Sequence, residues 1–153
     1  MAGSAWPEER DADLTAPSES TGHLLRRAVQ HYAALWASIV TAGLTSPQFA
    51  VLALLDSADD GLDQRSIAEG AALDKSTCGD LIDRLARRGL VEAGIDPANR
   101  RRKIVRMTEA GRQRLAETAA QQRDVHQAAL AELSETERAE LNRLLLKMLR
   151  LQA

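Results

Sequence analysis

From Thr21 the apolar residues Leu24, Leu25, Ala28, Tyr32, Leu35, Trp36 and Ile39 recur at three- and four-residue spacings, which predicts an amphipathic helix ended by Gly43. Ser46 then reads as an N-cap with Pro47 at the first helical position. Phe49, Val51, Leu52, Leu54 and Leu55 follow, apolar on nearly every side, so this second helix is expected to be central and buried. Asp59-Asp60-Gly61 is a turn, and a short helix from about Gln64 to Gly70 turns Ile67 and Ala68 inward. Asp74 caps a longer helix to about Arg88, with Cys78, Leu81, Ile82 and Leu85 on one face and Gly89 as the closing glycine.

Beyond Gly89 the period changes. Two short strands, 90–95 and 102–107, flank a turn over 96–101 that holds Pro97 and Asn99. Thr108 and Glu109 open a fifth, Ala- and Gln-rich helix reaching about Leu133, and Ser134 to Glu137 form a capping box for a last helix striped by Leu141, Leu144, Leu145, Met148 and Leu149. The fold class is therefore mainly α with a small β-hairpin. A short helix, a tight turn, a second amphipathic helix and a hairpin together predict a winged helix-turn-helix over about 45–108.

Composition narrows the class. The chain has 153 residues, 44% hydrophobic and 27% charged, which suits one domain with a sizeable core. Residues 1–20 lack apolar periodicity and read as a flexible acidic tail, leaving 21–153 as a single domain. The one cysteine, Cys78, excludes an internal disulfide. No signal-peptide pattern and no apolar run near the ~18 residues of a membrane span are present, so a soluble, cytoplasmic protein without membrane partners is expected.

Charge is informative by its distribution. The net is −2, yet residues 84–106 carry eight basic residues against Glu92 and Asp96, a local +6, whereas residues 1–20 carry −4. A basic stretch on an acidic body fits a docking face for a polyanion. On the helix after Asp74, the N-terminal end offers Lys75, Ser76, Thr77 and Gly79, small and polar groups suited to the base edges of a major groove. Asp80 and Arg84 lie on the same face, and Arg84, Arg87 and Arg88 are placed to meet phosphates. In the hairpin, Asn99, Arg100, Arg101 and Arg102 form the candidate wing contact, since arginine suits both a narrow minor groove and bidentate phosphate binding.

Leu44-Thr45-Ser46-Pro47-Gln48-Phe49-Ala50-Val51-Leu52, Asp74-Lys75-Ser76-Thr77, Arg84-Leu85 with Gly89-Leu90-Val91, Asp96-Pro97-Ala98-Asn99-Arg100-Arg101, and Met107-Thr108-Glu109-Ala110-Gly111 follow one another in consistent order. Together they resemble the MarR family (multiple-antibiotic-resistance regulators), with Met107 where Leu is usual. The resemblance covers roughly residues 21–150 and implies a homodimeric repressor whose first and last helices interlock, bound to palindromic operators and usually released by a small ligand. The wing departs from the common pattern at Ala98 and Asn99, and Arg100 is taken as the residue for the minor groove. The Leu-rich stripes of the first and last helices agree with dimerisation, because a small winged domain alone cannot bury them.

Within the family, Gly22-His23-Leu24-Leu25-Arg26-Arg27 and the run from Thr45 to Leu52 resemble the branch that responds to aromatic acids of the protocatechuate type. That likeness implies that Arg26 clamps a ligand carboxylate, a task suited to its planar fork. His23, Tyr32, Trp36 and Phe49 complete the expected ligand site. Cys78 lies on an apolar stripe and is read as a small hydrophobe rather than a redox sensor.

No catalytic or metal site and no cofactor is expected. His23, His31 and His126 are scattered, and HExxH, CxxC, GxGxxG and GKS/T patterns are absent. The alternatives are a winged-helix protein–protein adaptor without DNA binding and a MarR-type regulator of antibiotic or stress efflux with another ligand.

Overall fold

The computed structural model describes residues 20–96 and 99–150, and side chains for all of these except 99–102. All but the last residue of the acidic segment 1–20 lies outside the described residues. Among the described residues six helices and one hairpin follow one another: α1 (Thr21–Ile39), α2 (Ser46–Asp56), α3 (Gln64–Gly70), α4 (Lys75–Arg87), β1 (Val91–Asp96), β2 (Asn99–Met107), α5 (Glu109–Ala129) and α6 (Glu135–Leu149). Among the described residues no helix is long and apolar enough to cross a membrane.

Caps set most of the boundaries. Ser20, Thr45, Asp63, Asp74, Thr108 and Ser134 each accept a backbone N–H of the following first turn through the side chain. The expected cap at Ser46 is displaced by one residue. Thr45 caps α2 because its hydroxyl and the Gln48 side chain satisfy each other's backbone amides, a reciprocal pairing that Ser46 cannot form. At the other end of α4, Leu90 N–H bonds Leu85 O at 3.0 Å and Gly89 N–H bonds Ala86 O at 2.9 Å. With Gly89 at φ +70°, this is a Schellman closure. The turn between α3 and α4 closes the same way through Leu73 N–H to Ala68 O, but Ala72 holds the left-handed position at φ +53°.

The core is one cluster built from Leu44, Val51, Leu52 and Leu55 of the α2 region, Ile67 and Ala68 of α3, Cys78, Leu81, Ile82 and Leu85 of α4, and Leu90, Val91, Val105 and Met107 at the hairpin base. The second helix is thus central, as its all-round apolar pattern predicts. α1 and α2 both pack on α5, which joins the winged unit to the N-terminal helix. α5 ends at Ala129 rather than near Leu133, and a turn over 130–133 leads to α6.

The hairpin differs from expectation in two ways. Its antiparallel register runs from Val91↔Met107 to Ile95↔Lys103 and then jumps to Asp96↔Asn99. β2 therefore begins at Asn99, and residues 100–102 fall within a register break instead of a turn over 96–101. Leu62 also forms a bridge to Val105, with N···O distances of 3.0 and 2.8 Å, which ties the wing base to the segment before α3.

α6 buries none of its residues against the chain, and Leu144, Met148 and Leu149 are exposed. On α1, Leu24 and Val29 are exposed likewise.

Candidate nucleic-acid interface and adjoining cavity

The outer face of α4 is polar from end to end. Lys75, Ser76, Thr77, Asp80, Arg84 and Arg87 are all exposed, whereas Cys78, Leu81, Ile82 and Leu85 are buried on the opposite side. Arg84 and Arg87 sit in the last turn, where a cation also complements the helix dipole. Asp74 accepts from Thr77 N at 2.9 Å and from Thr77 Oγ1 at 2.5 Å. These bonds hold the Asp74 carboxyl below the ordinary carboxylate range and commit the Thr77 proton locally. Thr77 can then offer an incoming base its acceptor lone pairs, not its donor.

Gly79 faces inward rather than toward an approaching duplex: a Cβ there would stand 3.0 Å from Gln64 Nε2. Asn99, Arg100, Arg101 and Arg102 share β2, and their side chains lie outside the described residues. Beside them the strand carries exposed Lys103.

Three of the five expected ligand residues come together. Trp36 is buried, its ring 6.3 Å from Tyr32 and 5.6 Å from Phe49 between centroids, and Trp36 Nε1 donates to Leu44 O at 2.8 Å. Next to this row lies an apolar cavity of about 450 Å³ lined by Ala33, Trp36 and Val40 of the first helix and its end, and by Leu44, Thr45 and Pro47 at the start of α2. Only Trp36 of the five lines it. Arg26 is exposed, seven residues before Ala33 on the same stripe of α1, hence about 10 Å along the axis at 1.5 Å per residue. His23 is half-buried one turn further out.

The segment 40–45 forms one wall of the cavity and is held from three directions. From α5, Gln121 Oε1 accepts from Thr41 N at 3.1 Å and Ala42 N at 3.2 Å, Gln121 Nε2 donates to Thr41 Oγ1, and Arg114 donates to Ala42 O at 2.9 Å. From α1, Trp36 holds Leu44 O. From the C-cap of α4, Arg88 Nη1 reaches Gln48 Oε1 at 3.4 Å, the oxygen that also caps Thr45 N. None of Gln48, Arg114 and Gln121 was a site residue by sequence. Only Gln48 left a local signal, the Thr45-to-Gln48 spacing of a capping box.

A sequence profile of the MarR family matches residues 42–102. The HTH-type transcriptional repressor NicR of Pseudomonas putida is 34% identical over 134 residues, which span 86% of this chain and 84% of that protein. The chain belongs to the MarR family. Among solved structures, the PcaV transcriptional regulator of Streptomyces coelicolor in complex with its natural ligand is 34% identical, covers 89% of this chain and 96% of its own, and superposes with a TM-score of 0.83. BpsR of Bordetella bronchiseptica, whose DNA binding is regulated by 6-hydroxynicotinic acid, is 32% identical over 88% of this chain and 96% of its own, again with a TM-score of 0.83.

As a MarR-family member the protein is a DNA-binding transcriptional regulator and not an enzyme, which removes the adaptor reading. The 134 residues aligned with NicR extend well beyond the 42–102 matched by the family profile, into the helices that flank the winged unit. Cys78 fits the reading of a small hydrophobe. It is fully buried, its Sγ donates to Gln64 O at 3.6 Å, and burial together with the nearby Asp74 charge pushes the thiol up, away from reactive thiolate.

Proposed function

We propose that this MarR-family protein is a homodimeric repressor of aromatic-compound catabolism genes, released from a palindromic operator by a small aromatic carboxylate. The observation that carries this reading is the apolar cavity beside Trp36, placed where α1 joins the winged unit. At about 450 Å³ it lies within the usual range of small-molecule sites. A ligand there presses on the segment 40–45, and the Gln48–Arg88 contact links that segment to the end of α4. The relative regulated by 6-hydroxynicotinic acid, a hydroxylated ring bearing a carboxylate, supports the ligand class.

In this reading Lys75, Ser76, Thr77, Asp80 and Arg84 lie along the major groove, while Asn99, Arg100, Arg101 and Arg102 engage the minor groove and its phosphates. Arg26 swings over the cavity mouth to clamp the carboxylate. Arg26 is exposed, and in this reading His23, Tyr32 and Phe49 complete the ligand site around it. The exposed leucines of α1 and α6 are buried in the dimer, which also supplies the second recognition helix. To empty the operator, the ligand must favour the non-binding conformation by a few kcal/mol.

The test is a titration of binding to the upstream region of its own gene, with and without protocatechuate, 6-hydroxynicotinate and related acids. Release by one of them is expected. Arg26→Ala should keep operator affinity and lose release, and Arg100→Ala should weaken DNA binding. Binding that ignores every acid would discard the ligand class, and no binding at low salt would discard the operator function.

A further inference from the structure

The recognition helix has a glycine near its middle, where glycine is the weakest helix former short of proline. The space left by Gly79 is filled by Gln64, the first residue of α3, whose Nε2 would be 3.0 Å and Cδ 3.9 Å from a Cβ at position 79. From that notch Gln64 Nε2 donates to Lys75 O at 3.0 Å, and the backbone carbonyl of Gln64 accepts from Cys78 Sγ at 3.6 Å. Three contacts from one residue therefore converge on Lys75, Cys78 and Gly79, in the part of α4 that presents Lys75, Ser76 and Thr77 outward. Beyond these contacts, Ile67 and Ala68 of α3 share one apolar core cluster with Cys78, Leu81, Ile82 and Leu85 of α4. Apolar burial is non-directional and does not by itself fix how far one helix slides or turns against the other.

We propose that Gln64 is a positioning residue for operator recognition: seated in the Gly79 notch, it sets the slide and rotation of the first turns of α4, and with them the base-reading side chains. Gly79 is then required by Gln64 rather than by the DNA. The inference rests on the reading of α4 as the helix that meets base edges, and Lys75→Ala serves as the check on that reading.

The experiment measures fluorescence-anisotropy affinities of the full-length protein for its upstream operator fragment and for a scrambled duplex at one salt concentration. Gln64→Ala, Gly79→Ala and the double variant are compared. Each single change is expected to lower operator affinity about tenfold, the order of one lost hydrogen bond, with the scrambled duplex unaffected. The double variant should bind no worse than the weaker single, because the two changes disrupt the same seat. Thermal melting gives a second readout: in the Gln64→Ala background, Gly79→Ala should raise Tm, since only helix propensity remains. Gln64→Met, which fills the notch without donating, covers the case in which Gln64→Ala fails to fold, and should also lose operator affinity.

Additive losses would overturn the proposal and make Gln64 a direct DNA contact. Equal losses on both duplexes would reduce it to a phosphate contact, and unchanged operator affinity in Gln64→Ala or Gln64→Met would remove it altogether. If Lys75→Ala is silent as well, the base-reading role of α4 falls and the proposal falls with it.

Discussion

Replacing Gly111 by alanine tests how the winged unit is joined to the rest of the chain. Gly111 is buried in the first turn of α5 and is not among the glycines with positive φ, so backbone conformation does not demand glycine there. Space does. A Cβ would stand 2.1 Å from Leu90 O and 2.7 Å from Met107 Cγ, and the first of these is backbone. Carbon and oxygen sit comfortably only beyond about 3 Å, so α5 must withdraw from the hairpin base by about 1 Å or the Leu90 carbonyl must swing away. Either motion strains the Thr108 N–H bond to the same Leu90 oxygen, now 3.1 Å.

Overpacking of this kind costs about 1–3 kcal/mol and the weakened hydrogen bond about 1 more. Alanine returns at most about 1 kcal/mol of helix propensity, less in a first turn. The clash wins, for a net loss of about 2 kcal/mol, or roughly 4–8 °C in Tm for a chain this size. Urea unfolding followed by circular dichroism at fixed protein concentration measures it. Gly22→Ala is the control: nothing lies within 4 Å of a Cβ at Gly22, so propensity alone acts and stability should rise by a few tenths of a kcal/mol. A Gly111→Ala midpoint equal to or above the parent's would refute the tight seat between α5 and the wing.

Trp36→Phe leaves Leu44 O buried without its donor and should destabilise by about 1–3 kcal/mol in the same urea assay; an unaltered midpoint would show that water replaces the indole. Asp74 has a depressed pKa from its bonds to Thr77, so the stability it gives is complete above the unfolded carboxylate pKa and is lost as pH falls through the lowered folded value. The stability difference between the parent and Asp74→Ala should therefore shrink as pH is taken from about 5 to about 2, and a constant difference would assign the loss to something other than the charged cap. Leu144→Lys on the exposed face of α6 should shift sedimentation toward the monomer without unfolding α2 to α4, and an unshifted dimer would move the interface off that stripe.

What could be read from the sequence was local. Asp74, Thr108 and Ser134 announce their helices because a cap acts on amides two or three residues away, and Gly89 announces an end because a Schellman closure needs a left-handed residue. Apolar periodicity assigned the buried face of α4, and the all-round apolar run of α2 gave its central place, for the same reason. Where two local signals competed, the simpler one misled: proline at position 47 drew the cap to Ser46, although Thr45 and Gln48 already formed the reciprocal box. The hairpin tip was misplaced because turn residues mark a bend without fixing register, and β2 absorbs residues 100–102 in a break that no alternation encodes.

The joints between elements were not legible at all, and they decide how the function is arranged. Gln121 and Arg114 hold the segment 40–45 from 72 to 80 residues away, and Gln64 reaches 11 residues to Lys75. Glutamine is neutral in any periodicity count, yet its amide is both donor and acceptor on a flexible stem, so one side chain can cap a helix, as Gln48 does, or bind a loop, as Gln121 does. A hydrophobic pattern tells which face turns inward but leaves slide and rotation open, because burial has no direction. In the proposed dimer those last degrees of freedom decide whether two recognition helices match an operator. They are set here by polar side chains whose partners only the folded chain brings within reach.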